Sequence, residues 1–189
     1  TKVMNEGCAT FVHHYIMNAL YDRGQIGEGS MLEFMHSHSS VVMQPDFNDS
    51  RYSGINPYAL GFAMMSDIKR MSENPTQEDR DWFPNVAGKG DWRDVLKHAW
   101  ANYRDESFIQ QYLSPKVMRD LKLFAVRDKT EDPIYTVSAI HNEGGYRKYA
   151  SNAKFAMLLA VTVGLAWCVR SVSWNTRSQH VLRILPPCA

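Results

Sequence analysis

The chain has 189 residues, of which 44% are hydrophobic and 12% are aromatic, enough for one domain with a packed core. Its formal net charge is +1, so no basic field favours nucleic acid as a partner. The cysteines Cys8, Cys168 and Cys188 form no Cys-x-x-Cys pair. This argues against a disulfide framework and a cysteine-based zinc site, and it favours a reducing, cytoplasmic compartment.

The first predicted helix begins close to the N-terminus. Asn5 is predicted as its N-cap, with Glu6 in the first turn, where the helix dipole favours an anion. The helix is predicted to run to about Asp22, with Gly24 as its stop. Because the chain starts almost inside this helix and without Met, we predict that it is a piece of a longer protein.

Capping signals predict the next two helices. Ser30 and Glu33 fit a capping box that opens a second helix. Residues 41–54 are rich in Asn, Asp, Ser, Pro and Gly and are predicted to form a loop. Asn56 followed by Pro57 predicts the cap and first residue of a third helix.

Short helices and a late hairpin complete the predicted order. Caps are predicted at Thr76, Asp91, Asp105 and Ser114. The strings "LFAVRD" and "IYTVSAI" flank the polar turn "KTEDP" and predict two short strands. The predicted fold class is therefore α+β, predominantly α-helical with a short late β-hairpin.

The C-terminal residues differ in composition from the rest. Residues 149–189 contain no Asp or Glu, whereas residues 1–148 contain all 20. The uncharged run at 155–169 is shorter than the roughly 20 residues that a membrane helix needs, so no membrane insertion is expected. We predict one region at 1–148 and an atypical tail of doubtful fold at 149–189.

Glu6 and His13 form the first candidate metal site. They are seven residues apart, which places them two turns apart on one face of a helix. Zinc accepts carboxylate oxygen and imidazole nitrogen as ligands. The alternative is structural: Glu6 merely lies at a helix N-terminus, and His13 is a hydrogen-bonded helix histidine.

Glu33, His36 and His38 form the second candidate. Glu-x-x-His is the spacing found in di-metal carboxylate sites of helical bundles. Such a site needs two of these motifs, and this chain has one. Glu33 is also explained by the predicted capping box. His98 and His141 are predicted to be structural or surface histidines.

Four long strings point to a family: "KVMNEGCATFVHHYIMNALYD", "MLEFMHSHSSVVMQPDFNDSRYSGINPYALGFAM", "DESFIQQYLSPKVMRDLKLFAV" and "VSAIHNEGGYR". Together they resemble the SpoVR family, named for stage V sporulation protein R. The likeness is collinear from about Lys2 to Lys148 and corresponds to the C-terminal part of the longer family proteins. It implies a bacterial, cytoplasmic protein associated with spore cortex formation, in a family that also occurs in bacteria that do not sporulate.

The string "NEGCA" also resembles the glutamate helix of the gluzincin zinc peptidases, where the glutamate binds the metal. No HExxH motif occurs in this chain, so the resemblance implies that the histidine helix lies upstream. It implies Glu6 as a ligand of a divalent metal such as zinc, with His13, His36 and His38 as further candidates. No catalytic residue is identified.

Two departures from the family pattern stand out. The family usually has Trp where this chain has Cys8 and Val12, which changes the packing around Glu6. The resemblance also stops abruptly after Arg147, where the acidic residues end. We interpret this as a reading-frame shift and expect the tail to pack poorly.

Two functions remain open at this point. One is a SpoVR-like protein of sporulation or stress response with a metal centre completed by upstream sequence. The other is a non-catalytic scaffold or regulator that acts through protein partners. Whether the protein is an enzyme is left undecided.

Overall fold

The computed structural model describes residues 2–46, 49–127, 135–139 and 181–184. The chain divides into two compact units, Thr1–Gln44 with Ile55–Val117, and Pro45–Gly54 with Met118–Ala189. The helices are α1 Lys2–Asp22, α2 Glu28–Val41, α3 Pro57–Glu73, α4 Gln77–Trp82, α5 Trp92–Asn102, α6 Asp105–Tyr112 and α7 Pro115–Asp120. The strands are β1 Phe124–Arg127, β2 Tyr135–Ala139 and β3 Val181–Ile184.

Helix α3 supplies the centre of the first unit's core. Its apolar residues recur every three to four positions, so they form one face that can be buried completely. Burying each large apolar side chain contributes about 1.5–3 kcal/mol to folding. The completely buried side chains of this helix are Met64, Met65, Ile68 and Met71, and they are joined by Val3, Leu96, Phe108 and Ile109.

Two glycines form the contact between α1 and α3. A Cβ atom added to Gly7 would lie 2.5 Å from the Cα atom of Gly61. A Cβ atom added to Gly61 would lie 2.3 Å from the carbonyl oxygen of Val3. Only hydrogen fits at either position, because both neighbours are backbone. The glycine that follows Glu6 is therefore required by helix packing.

The predicted N-cap of α1 is wrong, because the helix begins at Lys2 and Asn5 lies inside it. The amides of Val3 and Met4 instead donate to the carboxylate of Asp105, at 3.2 and 2.9 Å. These amides would otherwise lack partners at the helix end. Asp105 was predicted as the cap of the sixth helix, but it is the first residue of α6 and Arg104 is the N-cap.

The predicted start of α2 is also wrong. This helix begins at Glu28, with Gly27 as the N-cap and no side-chain cap bond. Ser30 and Glu33 therefore lie within the helix and do not form its cap. Glu33 has an exposed side chain.

Most of the later caps are confirmed. Asn56 accepts a hydrogen bond from the amide of Tyr58 at 3.0 Å, and Pro57 is the first residue of α3. Thr76 forms a capping box at the start of α4, and Asp91 accepts from the third residue of α5. At the start of α7, the amide of residue 117 donates to the Ser114 hydroxyl at 3.1 Å. These caps are local and could be identified from spacing.

A buried polar network joins α3 and α4. Arg70 donates two hydrogen bonds of 2.7 Å to Asp79 and one of 2.6 Å to Asp67. Asp67 also accepts from the Ser114 hydroxyl at 2.6 Å. Burial alone would raise the pKa of Asp79, but hydrogen bonds from Arg70 and Thr76 outweigh it and lower this pKa to about 2.

The predicted α+β class needs correction. Residues 2–46 and 49–123, which carry the described side chains and the core, contain helices and turns and no strand. A separate late hairpin is not seen. The described backbone of β1 pairs antiparallel with β2, but β2 also pairs with β3, so it is the middle strand of a three-stranded sheet. The first unit is thus helical.

Several sequence predictions fall outside the described residues. These are the predicted turn between the strands, His141, the apolar run at 155–169 and most of the predicted tail. The proposed frame shift therefore stays a prediction. Among the helices that the structure describes, none is both long and apolar enough to cross a membrane.

Candidate histidine site

Three histidines and two phenylalanines from α1, α2 and α3 pack together, and we call them the histidine cluster. Its members are His13, His14, Phe34, His38 and Phe62. The rings of His14 and His38 lie 4.9 Å apart between centroids, and His13 lies 4.9 Å from Phe34. Phe62 contacts His38 and His14 at 4.7 and 5.2 Å. The two phenylalanines thus give the imidazoles an apolar surrounding.

His38 is the central residue of the cluster. It is 8% exposed, and its Nε2 atom has no hydrogen-bond partner among the described residues. Leaving a buried polar atom unpaired costs free energy, so such atoms are rare in folded proteins. The hydrogen-bonding capacity of this nitrogen is therefore unused within the described part of the chain.

Two histidines of the cluster, His14 and His38, favour the neutral imidazole form. Burial lowers the pKa of His38, and the nearby charges of His14 and His13 lower it further. Burial also lowers the pKa of His14. Neutral imidazole is the form that binds a metal ion, whereas binding an anion requires the protonated form. His14 and His38 are thus held in the neutral form, which is the form able to bind a metal ion.

A pocket of about 170 Å³ opens beside the cluster. His13 and His38 face it from different helices, so α1 and α2 each contribute one imidazole. The hydroxyl of Thr10, which also lines the pocket, donates to the carbonyl of Glu6 at 2.8 Å. The full lining is Ala9, Thr10, His13, Phe34, Ser37, His38 and Val41.

His14 is held in place by its own helix. The side-chain amide of Asn18 lies 3.2 Å from the Nε2 atom of His14 and donates to its carbonyl oxygen at 2.7 Å. Because an amide nitrogen donates, the Nε2 atom accepts and the ring proton is assigned to Nδ1. The hydrogen bonds from Asn18 therefore hold the His14 ring in one orientation, and the ring of His38 packs against it.

Glu6 is placed apart from the pocket. Its carboxylate accepts a hydrogen bond from the hydroxyl of Tyr58, and this bond with the carboxylate charge raises the pKa of that phenol. Glu6 is half-buried and does not line the pocket. On the face that Glu6 and His13 share, Glu6 thus contacts Tyr58, and His13, two turns later, packs in the histidine cluster.

The structure brings together two of the four predicted metal ligands. His13 and His38 share the pocket, whereas Glu6 contacts Tyr58 and His36 is exposed on α2. Within the described residues, no group of three or more His, Cys, Asp and Glu side chains is arranged to hold a metal ion. Sequence reasoning missed His14, although it lies seven residues after Gly7 and so on the face that meets α3.

Cys8 lies beside a second, wider pocket of about 560 Å³. Burial raises the pKa of the Cys8 thiol, which keeps it protonated and unreactive near neutral pH. A nucleophilic role for this cysteine is therefore disfavoured. The lining of this pocket is Met4, Asn5, Cys8, Ala9, Trp100 and Tyr103.

Comparison with known proteins identifies the family. The profile described as SpoVR like protein matches residues 1–159. The chain belongs to the SpoVR family. A relative from Escherichia coli (strain K12), the uncharacterized protein YcgB, is 57% identical over 148 residues. This match covers 78% of the SpoVR-family chain and 29% of YcgB, so the chain spans less than a third of that relative. No solved structure matches.

Proposed function

We propose that this SpoVR-family chain contributes two ligands to a divalent metal centre. The observation that carries the proposal is the unpaired Nε2 atom of His38, which is buried beside the pocket that His13 also lines. Zinc in proteins is usually bound by four ligands. The remaining ligands are therefore assigned to residues outside the described part of the chain or to another part of the family protein.

The predicted ligands take different roles in this proposal. His13 and His38 hold the metal, and His14 is a positioning residue that packs against the ring of His38. Glu6 and His36 do not line the pocket. In this proposal they contribute only indirectly, through residues outside the described part of the chain. A divalent metal bound here would supply Lewis-acid chemistry.

The biological setting is proposed from the family. We infer a cytoplasmic protein that acts in spore cortex formation or in a bacterial stress response. The metal centre would be part of that activity. The part of the family protein that this chain does not match would supply the missing ligands and determine whether a reaction takes place.

Zinc titration of a full-length SpoVR-family protein by calorimetry, with substitutions at the positions aligned with His38 and His98, tests the metal proposal, because the remaining ligands lie outside the described part of this chain. His38→Ala is expected to weaken zinc binding by roughly tenfold or more, because even residues that only support a ligand change affinity by about 10–100-fold. His98→Ala is the matched control, since His98 is an exposed histidine whose neighbour is Asn102 on the same helix. Equal affinities of the two variants would overturn the assignment.

A scaffold that acts through protein partners is the second candidate. Exposed large apolar side chains favour it, since Ile16 on α1 is 48% exposed and Met43 after α2 is 46% exposed. Glu6→Gln and His38→Ala in an intact family member separate the two functions. A metal centre predicts loss of the cellular function in the His38 variant, and a scaffold predicts that both variants retain it.

A further inference from the structure

Helix α2 has a row of exposed residues on its outer side, two of them large and apolar, which we call the outer stripe. It consists of Leu32, Met35, His36 and Ser39, spaced as i, i+3, i+4 and i+7, and all four are exposed. Leu32 is 71% exposed and Met35 is 38% exposed. This spacing places the four residues on one face of the helix. The residues on the inner side of α2, Phe34 and His38, pack in the histidine cluster.

The charged residues on α2 itself are acidic. Helix α2 carries Glu28 and Glu33 and contains no Lys or Arg. Both carboxylates are exposed on the same helix as the stripe. A complementary surface would therefore combine apolar side chains with flanking Lys or Arg residues. This pattern is that of an amphipathic helix with a basic border.

The size of the stripe limits what can cover it. Two large apolar side chains make a much smaller patch than the roughly 800 Å² per partner of a stable interface between separate proteins. A segment of the same polypeptide needs far less area, because its effective concentration is on the order of millimolar. The matched region covers 29% of YcgB, so most of that relative's polypeptide lies outside the match.

We propose that the outer stripe is the docking surface for an amphipathic helix from the part of the SpoVR-family polypeptide that this chain does not match. Apolar residues of that helix pack on Leu32 and Met35, and its basic residues pair with Glu28 and Glu33. The docking is a packing interaction that needs no metal. It is therefore independent of the metal proposal.

Photo-crosslinking in full-length YcgB tests the docking. A benzophenone amino acid is placed at the position aligned with Leu32 and, as the control, at the position aligned with Trp100, which is exposed on α5. The expected result is an intramolecular crosslink from the first position to a peptide outside the matched region. A crosslink to a second copy, or a yield no higher than at the control position, would overturn the proposal.

A second measurement uses the chain itself. The stripe is uncovered there, so replacing Leu32 and Met35 by Lys should lower the binding of an apolar dye at least twofold and leave the melting temperature unchanged. Ile16→Lys, at an apolar position of α1 that is 48% exposed, should leave most of the dye signal. If the Leu32 and Met35 double variant melts at a clearly lower temperature, the stripe is part of this chain's own packing and the proposal fails.

Discussion

Replacing Gly61 by Ala should disrupt the contact between α1 and α3. The added Cβ atom would lie 2.3 Å from the carbonyl oxygen of Val3 and 2.6 Å from the Cα atom of Gly7. Both neighbours belong to the backbone, so neither can rotate away as a side chain would. The helices must separate, and the buried side chains at the contact lose part of their packing.

The magnitude follows from two opposing effects. Overpacking a close contact costs about 1–3 kcal/mol, and a clash with backbone falls at or above the upper end. Alanine gains about 1 kcal/mol over glycine in a helix interior. The net loss in the free energy of unfolding for Gly61→Ala is therefore about 2 kcal/mol or more. Gly7→Ala should behave similarly, since its Cβ atom would lie 2.5 Å from Gly61.

Urea unfolding followed by far-UV circular dichroism measures this change. Gly29→Ala is the matched control, because it introduces the same methyl group into α2 at a position with no heavy atom within 4 Å of the added Cβ. This control should be as stable as the parent chain or slightly more stable. If Gly61→Ala matches Gly29→Ala in its unfolding midpoint, the helices can separate without cost and the reasoning is refuted.

Three further predictions concern the cap, the buried network and the cluster. Asp105→Ala removes the acceptor for the first amides of α1 and should lower the free energy of unfolding in urea by about 1 kcal/mol. An unchanged free energy of unfolding would show that water satisfies these amides equally well. Asp79 contributes stability above its ordinary pKa of 3.8, which should be lost as the pH falls toward about 2. Arg70→Met should therefore destabilise the chain by about 3–5 kcal/mol at pH 7, and an acid unfolding curve that stays unchanged in this variant would contradict the role of the pair. The pKa of His38 is lowered in the folded state, so protonation favours unfolding below the ordinary value of 6.5. His38→Phe should reduce the loss of stability between pH 8 and pH 5, and His98→Phe should not.

Local signals in the sequence were sufficient for most of the later helices. Asn56 with Pro57 and Thr76 with its capping box lie next to the residues they cap, so their spacing alone identifies them. The cap of α1 could not be found in this way, because Asp105 is 101 residues from the amide of Met4 that it accepts. Local propensity favours Asn5 as the N-cap, but the contact with Asp105 allows α1 to begin earlier, at Lys2.

The candidate site was predictable in part. Spacing within α1 pointed to His13, and His38 was named as a neighbour of the Glu33 and His36 motif. Both histidines line the pocket, and their role as metal ligands stays a prediction. It could not show that the carboxylate of Glu6 contacts Tyr58, since that contact depends on how α3 crosses α1. His14 was missed because its contact is with the ring of His38 on α2. Spacing within α1 cannot reveal a contact with another helix.

The contact between Gly7 and Gly61 also fixes the rotation of α1 about its own axis. An α-helix turns by about 100° per residue, so residues seven apart return to almost the same direction. With Gly7 directed at α3, His14 must point the same way, which is where it meets Phe62. Glu6 and His13 then share the adjacent direction, about a quarter turn away. A single methyl group on either glycine would thus turn or displace both sets of side chains together.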